Sequence, residues 1–440
     1  MTQVGVVGCL LGFLVVIYLC YKEWSVYIAT FLGACVVILL TGVPFLNALT
    51  VTYIEGVFTA LKSFFFVILF GCILSRIYIE SGAAFAISDT IMSKLLKDDM
   101  GESTKNIIGM LVIIGIGAIL NMGGIIAGVV IVLMYPIALA VFQRCDIPKK
   151  FILGVLGAGS FTFTLSIPGS PQVTNVAAMT SLGTSATVAM IPGLIGGAVE
   201  LLVILVLMNH LINRAKAKGE HFELHPLDPQ YDQTAPRPHF IMAVIPMAAL
   251  FIAFNVFSVN IVLALIGSCV LSMILFLPQI RRKNVREFMT QGATESVPMT
   301  MTVGAICGFA AVVTNSDPFQ LMLNAIVSIN ISPLLICWIV VALMCMLTGG
   351  SSTGQLIALP QIAPKLMDMG LNVNTIHRVS VFAATTLDSM PYCGSILMLL
   401  PMCHMKLREV YPSLFVTTVI ATTCGTACVT LICALFPGLA

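Results

Sequence analysis

The sequence predicts an all-α polytopic membrane protein with two inverted-topology repeats, re-entrant hairpins and discontinuous helices. Three observations predict it: an apolar composition, charges confined to a few segments, and two halves with the same order of helix breaks. Of 440 residues, 59% are hydrophobic and 9% are charged, whereas soluble domains carry about 25% charged residues. About twelve spans of roughly 20 residues would account for the apolar residues.

The composition also excludes several classes of protein. The net charge is only +2, and without a basic patch nucleic acid is not an expected partner. The 14 cysteines are scattered and form no C-x-x-C pair, so we expect neither a disulfide framework nor a metal site. The expected partner is the lipid bilayer, and no cofactor is expected.

The first half begins with three apolar runs, at about 4–21, 24–42 and 61–80. Lysines follow the third run but are absent from 45–60, so the positive-inside rule places the N-terminus outside and residues 81–105 in the cytoplasm. Residues 81–97 are apolar but too short and mixed to span. They are interpreted as an interfacial or re-entrant hairpin.

Two broken apolar stretches and a further span follow in this half. The stretch 106–143 is too long for one helix and contains NMGG at 121–124. The next is interrupted by PGSPQ at 168–172, because two prolines cannot continue a regular helix. A further span covers about 186–212. Residues 213–238 form a polar segment with basic residues at its start, predicted to be a cytoplasmic linker.

The second half repeats this order. Spans at about 239–256, 261–279 and 295–314 precede a hairpin candidate at TNSDP, 314–318. A span at 331–347 then reaches GGSSTGQ at 349–355, and a later run breaks at LDSMPYCG, 387–394. The charge pattern orients the two halves oppositely. Residues 1–212 and 239–440 are therefore predicted to be inverted repeats, whose paired broken helices mark a transporter site near the bilayer midplane.

The breaks offer chemistry for an anion and a cation together. Helix N-termini attract anions, and unwound carbonyls with hydroxyls can hold a cation. The structural alternatives are a helix contact at 121–124, a proline kink at 168–172, and N-capping by Ser351 or Ser352. The predicted substrate-binding residues are Asn121, Gly123, Gly124, Thr164, Ser166, Gly169, Ser170, Gln172, Asn175, Gly349, Gly350, Ser351, Ser352, Thr353, Ser389 and Tyr392.

Asp388 is the candidate proton carrier, because an intramembrane carboxyl group is costly and functional by default. Its structural alternative is a hydrogen bond with Thr385 or Ser389. Among other polar residues, Asp317 is interpreted as a hairpin cap and His404 as interfacial.

Two interpretations remain open for each of two further residues, Arg378 and Glu200. A loop contact is favoured for Arg378 over anion steering. Glu200 is either a second buried carboxyl or a packed or paired residue. Without an obvious buried arginine, the site favours substrates with one carboxylate.

The motifs PGSPQVTN at 168–175, GGSSTGQ and LDSMPYCG resemble the gluconate permease (GntP) family over essentially the whole chain. LDSMPYCG is more similar to the D-beta-hydroxybutyrate permease branch, although Tyr392 and Cys393 depart from its usual His and Asn. The resemblance implies site roles for Pro168–Asn175, Gly349–Thr353 and Asp388–Gly394.

The resemblance implies the fold of the wider ion-transporter superfamily, usually dimeric, with a scaffold and a mobile transport domain. Scaffold spans then fall at 1–80 and 239–314, and hairpin and transport elements at 81–212 and 315–440. It also implies proton-coupled uptake of a small organic acid, such as 3-hydroxybutyrate or gluconate, across the inner (plasma) membrane.

Several functional alternatives remain open at this point. A sodium-coupled di- or tricarboxylate symporter would use Asn121, Gly349 and Ser351 for its cation. An intramembrane serine hydrolase would need Ser351 or Ser352 with His377 or His404. A channel is the third class.

Overall fold

The computed structural model describes residues 2–22, 24–95, 100–122, 127–226, 228, 237–255, 257, 259–281, 283–319, 321 and 331–439. All regular secondary structure within these ranges is helical, as the composition predicts. Buried positions are mostly aliphatic and aromatic, and one hydrophobic core cluster extends through both halves of the chain.

The first half contains eleven α-helices in the described ranges: α1 Thr2–Tyr21, α2 Val26–Thr41, α3 Phe45–Asn47, α4 Ile54–Glu80, α5 Ala83–Leu95, α6 Glu102–Met122, α7 Ala127–Cys145, α8 Ile152–Ala158, α9 Phe163–Ser166, α10 Val173–Leu182 and α11 Met190–Lys216. A π-helical segment, Ala48–Tyr53, joins α3 to α4, and a 3-10 turn, Lys149–Phe151, precedes α8.

The described part of the second half contains α12 Phe240–Asn255, α13 Ile261–Leu275, α14 Leu277–Ile280, α15 Val285–Thr314, α16 Pro333–Thr348, α17 Ser351–Asp368, α18 Val373–Ala384, α19 Gly394–Leu397, α20 Leu400–Cys403, α21 Leu407–Phe415 and α22 Ala421–Leu435. A π-helical segment, Val416–Ile420, joins the last two helices, and a 3-10 turn, Pro437–Leu439, follows.

Five continuous helical stretches in the described ranges are long and apolar enough to cross a membrane: Val4–Tyr21, Glu102–Met122, Met190–Lys216, Val285–Thr314 and Leu407–Leu435. The bent pair Phe45–Lys62 and Phe64–Glu80 makes a sixth if counted as one span. The other apolar helices are shorter. Several of these border the broken segments around 168–172, 349–350 and 385–393.

The third spans of the two halves, α4 and α15, pack closely along their length in opposite directions. An added Cβ at Gly308 would lie 2.8 Å from the Tyr53 carbonyl oxygen, and one at Gly292 would lie 3.0 Å from the Ile73 Cα. Glycines therefore let the two backbones approach. Helices α2 and α13 pack beside this pair.

A second group of helices contains the broken segments. Helix α10 packs against α17 and α18, α16 packs against α17 and α18, and α11 lies along α22. This group brings the motif at 168–175 from the first half against helices that border the motifs at 349–355 and 387–394 in the second.

The charged segments lie together at one end of the helices. Asp89 pairs with Arg144 and Arg237, Lys216 pairs with Glu102, and Lys283 pairs with Glu80. These contacts join parts of the charged segments near 94–105, 144–150, 214–237 and 281–287. The positive-inside rule predicts this arrangement, because the basic residues of these segments place them all on the same side of the membrane.

The linker is also tied to this end by a buried ion pair between Asp228 and Lys149. The Tyr135 hydroxyl and the His225 backbone N–H donate hydrogen bonds to the Asp228 carboxylate. His225 in turn stacks on His404, with ring centroids 5.3 Å apart. His404 is therefore half-buried against the linker.

Three sequence boundaries differ from the structure. Residues 83–95 form one helix, α5, instead of the two arms of a hairpin, because Ala83, Ala84 and Ile87 are buried in the core. The third span is helical from Phe45 instead of beginning near 61. Helix α11 extends to Lys216, beyond the predicted linker start at 213.

The second hairpin candidate is only partly described. Asp317 is exposed and begins the helical residues 317–319. Residues 320 and 322–330 lie outside the described ranges.

We predict that Gly308→Ala destabilises the protein by about 1–3 kcal/mol, because the new methyl group would lie 2.8 Å from both the Tyr53 ring and the Tyr53 backbone carbonyl. Gly267→Ala in α13 is the matched control, since nothing lies within 4 Å of its added Cβ. Thermal unfolding in detergent should show a lower midpoint for Gly308→Ala alone. Equal midpoints for both variants would contradict the close α4–α15 contact.

Candidate functional site

The break before α10 is held together by side chains of its own motif. The Ser170 hydroxyl donates to the Thr164 carbonyl at 2.6 Å. The Asn175 amide donates to the carbonyls of Leu165 and Ile167 at 3.1 and 3.3 Å. Burial requires these partners, because a carbonyl without a donor in apolar surroundings is costly. Ser170 and Asn175 thus serve the backbone of the break itself.

The first-half breaks contact each other through Asn121 at the end of α6. The side-chain amide of Asn121 donates to the Ser160 carbonyl at 2.8 Å. The backbone carbonyl of Asn121 accepts a hydrogen bond from the Gln172 side-chain amide at 2.5 Å. Asn121 and Gln172 are both buried. Gly123 and Gly124, the other predicted residues of this break, lie outside the described ranges.

A buried arginine from the second half anchors the same region. Arg378, in the middle of α18, has no exposed surface. Its guanidinium donates to the carbonyls of Ser166 at 2.7 Å, Ala186 at 2.8 Å and Val188 at 2.8 Å. The predicted loop contact is therefore present. The expectation that the chain lacks a buried arginine was wrong, because the residues that bury Arg378 are about 190 to 210 positions away in sequence.

Asn175 is the second point where the halves meet. Its side-chain oxygen lies 3.3 Å from both Arg378 Nη1 and His377 Nε2. The other ring nitrogen of His377 lies 2.6 Å from the Thr184 hydroxyl. Since an amide oxygen only accepts, Nε2 of His377 carries the hydrogen and Nδ1 accepts from Thr184.

The two second-half breaks are pinned to each other. The Ser351 side chain lies beside the Asp388 carboxyl group. The Tyr392 hydroxyl donates to the Met346 carbonyl, and the Cys393 thiol lies 3.6 Å from the Gly349 carbonyl. Predicted residues about 40 positions apart are therefore in contact.

Asp388 is buried and also accepts a hydrogen bond from the Ser389 hydroxyl at 2.9 Å. The structural alternative for Asp388, a hydrogen bond with Ser389, is thus also observed. Ser351 lies beside the same carboxyl group from the other break, so the surroundings of Asp388 come from two segments.

Helix α17 begins at this contact. Gly349 has φ +64° and Gly350 is the extended N-cap, with no side-chain capping bond in the described structure. The expected N-capping by Ser351 or Ser352 is not formed. The first N–H groups of α17 therefore have no side-chain capping partner there, which suits anion binding at a helix N-terminus.

The remaining predicted residues differ in how exposed they are. Ser352 is half-buried, whereas Thr353 and Gly169 are exposed. Gly169 has φ +78° and makes the turn after Pro168.

Sequence reasoning missed Gln355, which is fully buried in the first turns of α17. Neither its amide nitrogen nor its amide oxygen has a partner in the described part of the chain. The Asn121 side-chain oxygen and the Thr164 hydroxyl are buried and unpartnered there in the same way. The one signal for Gln355 was its place as the last residue of GGSSTGQ.

A metal centre is not indicated by the described residues, since no group of three or more His, Cys, Asp or Glu side chains gathers among them. The buried groups of Asn121, Thr164 and Gln355 that lack a partner are instead neutral amides and a hydroxyl. Such groups suit the carboxylate and hydroxyl groups of a small organic molecule, and the oxygens also suit a monovalent cation.

Comparison with known proteins gives the following similarities. The sequence model described as GntP family permease matches residues 4–436. The uncharacterized transporter YxjC of Bacillus subtilis is 24% identical over 94% of this chain and 95% of its own length. An uncharacterized transporter of Haemophilus influenzae is 25% identical over 89% of each chain. The solved YdaH transporter of Alcanivorax borkumensis has a TM-score of 0.43 at 12% identity, covering 87% of this chain and 88% of its own.

We predict that Arg378→Gln strongly destabilises the protein, because each carbonyl left without a donor costs about 1–3 kcal/mol. Arg214→Gln is the control, since Arg214 is exposed near the end of α11 and should change stability by less than about 0.5 kcal/mol. Melting midpoints in detergent check both. A midpoint for Arg378→Gln equal to that of the wild type would refute the anchoring role of the guanidinium.

Proposed function

This chain belongs to the GntP permease family, and from that membership we propose a proton-coupled symporter of a small organic acid anion, 3-hydroxybutyrate or gluconate. Membership makes the protein a secondary transporter of organic anions in the membrane, and not an enzyme. The serine-hydrolase hypothesis also lacks its geometry, because His377 hydrogen-bonds to Thr184 and Asn175, whereas Ser351 lies beside Asp388.

The observation that carries the coupling proposal is the contact between Ser351 and Asp388. Ser351 is the first residue of α17, whose N–H groups suit a substrate carboxylate. Asp388 therefore lies beside the position proposed for a second negative charge. Two carboxylates at one site disfavour each other's ionised form. Substrate and proton would then bind together, and each would strengthen the binding of the other.

The substrate contacts would come from groups that the fold leaves unsatisfied. The proposed set keeps the predicted residues of the breaks and adds the Gln355 amide. The Asn121 oxygen, the Thr164 hydroxyl and the Gln355 amide offer both donors and acceptors. A hydroxy acid supplies both kinds of partner, which supports the D-beta-hydroxybutyrate branch as the proposed substrate class.

Alternating access would occur by an elevator-type movement between two inverted repeats. The antiparallel α4–α15 pair supports this, since it joins equivalent spans of residues 1–80 and 239–314 into a proposed scaffold. Helices α10, α17 and α18, which surround the broken segments, fall within residues 81–212 and 315–440. These two ranges contain the proposed transport elements. Residues 213–238 would be the cytoplasmic linker, the protein a homodimer, and its location the inner (plasma) membrane.

Sodium coupling is the second candidate, with a di- or tricarboxylate substrate. The unpartnered oxygen of Asn121 favours it, because a free acceptor at a helix break can hold a cation. In the proposed sodium set of Asn121, Gly349 and Ser351, however, Ser351 lies beside the carboxyl group of Asp388, the proposed proton carrier.

The test is uptake of labelled 3-hydroxybutyrate and gluconate into proteoliposomes under an imposed proton or sodium gradient. We expect an inward proton gradient to drive accumulation, and uptake to increase as the external pH falls. Asp388→Asn should abolish accumulation, because its side chain binds no exchangeable carrier proton. Asp317→Asn, at an exposed carboxyl outside the proposed site, should behave as the wild type.

Three outcomes would count against this mechanism. Proton-driven uptake that survives Asp388→Asn would remove Asp388 as the carrier. Accumulation that follows only the sodium gradient would favour the second candidate. Uptake that does not saturate with substrate would indicate a channel.

A further inference from the structure

A second buried carboxyl group lies far along the chain from Asp388. Glu200, in the middle of α11, has no exposed surface. Neither of its side-chain oxygens has a hydrogen-bond partner among the described residues. Most buried polar groups are hydrogen-bonded, so a carboxyl group with both oxygens unpartnered requires an explanation.

The packing of α11 on α22 encloses this carboxyl group tightly. A Cβ added at Gly425 would lie 2.4 Å from the Glu200 Cγ and 2.6 Å from its Oε1. Position 425 therefore has no room for a side chain, because the Glu200 carboxyl occupies that space. One turn earlier on α11, Gly196 meets Val429 and Phe382 in the same close manner.

The same face of α11 also contacts the first-half break. An added Cβ at Gly193 would lie 2.6 Å from Pro168, and one at Gly197 would lie 2.4 Å from Ile167. Glu200 is thus one turn of helix from Gly197, which packs against Ile167, and two turns from Gly193, which packs against the first residue of the PGSPQ segment. A movement of that segment would change the α11–α22 contact that encloses the carboxyl group.

Among the described residues, the charged groups that approach α11 do so away from Glu200 along the helix axis. Helix α18 brings Arg378 against α11, where an added Cβ at Gly193 would lie 3.0 Å from the Arg378 Cδ. Gly193 is seven residues, or about 10 Å along the axis, from Glu200, and His377 precedes Arg378 on α18. On α11 the nearest titratable group is His210, ten residues or about 15 Å along the axis, with Arg214 and Lys216 beyond it. Packed against α11, helix α6 carries Glu102 and Lys105 in its first turn, whereas α9 and the segments Val416–Ile420 and Pro437–Leu439 carry none. Helix α22 offers only thiols, at Cys424, Cys428 and Cys433.

An ionised carboxylate without a donor or a counter-ion is too costly in such surroundings, and the group takes up a proton instead. We propose that Glu200 is a second proton-binding site of the transporter, distinct from Asp388. It holds its proton while α11 and α22 are packed as here, and exchanges it with water when their contact opens. This inference rests on the proposed proton-coupled function.

The experiment compares wild type with Glu200→Gln, which keeps the shape of the protonated side chain but cannot release a proton. Thr430→Val is the matched control. It removes another buried unpartnered polar atom, on α22, without removing a titratable group. Each protein in proteoliposomes is assayed for proton-driven accumulation of labelled 3-hydroxybutyrate or gluconate, whichever the wild type accumulates, and for counterflow exchange without a gradient.

We expect Glu200→Gln to lose accumulation and keep counterflow, because the permanently neutral carrier can exchange loaded forms but cannot return unprotonated. Thr430→Val should keep both activities. Accumulation by Glu200→Gln at the wild-type level, with the wild-type pH profile, would overturn the proposal.

A second measurement does not depend on transport. Infrared spectra of the wild type at neutral pH should contain a carboxylic-acid C=O band that Glu200→Gln lacks and Asp388→Asn retains. An unchanged band pattern in Glu200→Gln would overturn the assignment. If Glu200→Gln does not fold, wild-type protein labelled with 13C at glutamate should still show a band of protonated glutamate, and its absence would overturn the proposal.

The two proposals fail in different ways. Wild-type protein that shows no proton-driven uptake would remove the proposed function, and with it the coupling role of Glu200. Proton-driven uptake in wild type that Glu200→Gln fully retains removes only the inference about Glu200.

Discussion

The structure depends on one constraint: every backbone polar group of a broken helix in apolar surroundings needs a partner. Arg378 supplies the hydrogen-bond donor for several backbone carbonyls at and near the first-half break. Its guanidinium donates to three carbonyls on two segments of the other half of the chain. Because arginine offers five donors in a rigid plane, one side chain can satisfy several carbonyls that a continuous helix would have satisfied itself.

That arrangement also joins the two halves of the chain. Asn175 receives Arg378 and His377 from α18, and α10 lies against α17 and α18. Asp388 follows the same α18 by four residues and lies beside Ser351 at the start of α17. Helix α18 thus carries the buried cation that anchors the first-half break and leads directly into the segment of the proposed carrier carboxyl.

The two groups of helices differ in what joins them. Glycines let the backbones of α4 and α15 approach closely. Hydrogen bonds join the broken segments, with buried amides left unpartnered beside them, and such hydrogen bonds can be exchanged for others at small net cost. This difference is what a fixed scaffold and a moving transport domain would require.

Composition and hydropathy determined the protein class and most helices, because a span needs about 20 apolar residues whatever surrounds it. Proline and glycine positions located the breaks at 168–172, 349–350 and 387–394, because those residues act on their own backbone. The charged segments, the position of Asp388 within an apolar region and the family motifs were likewise recognisable from the chain alone.

Only the tertiary structure decided which side chains partner these breaks. The burial of Arg378 and the missing partners of Gln355 and Glu200 depend on residues far away in sequence, so local pattern could not show them. Residues 83–95 form one helix instead of a hairpin for the same reason, since the core packed against them determines their conformation. Sequence fixes what a segment can do by itself, whereas hydrogen-bond partners and burial are properties of the whole fold.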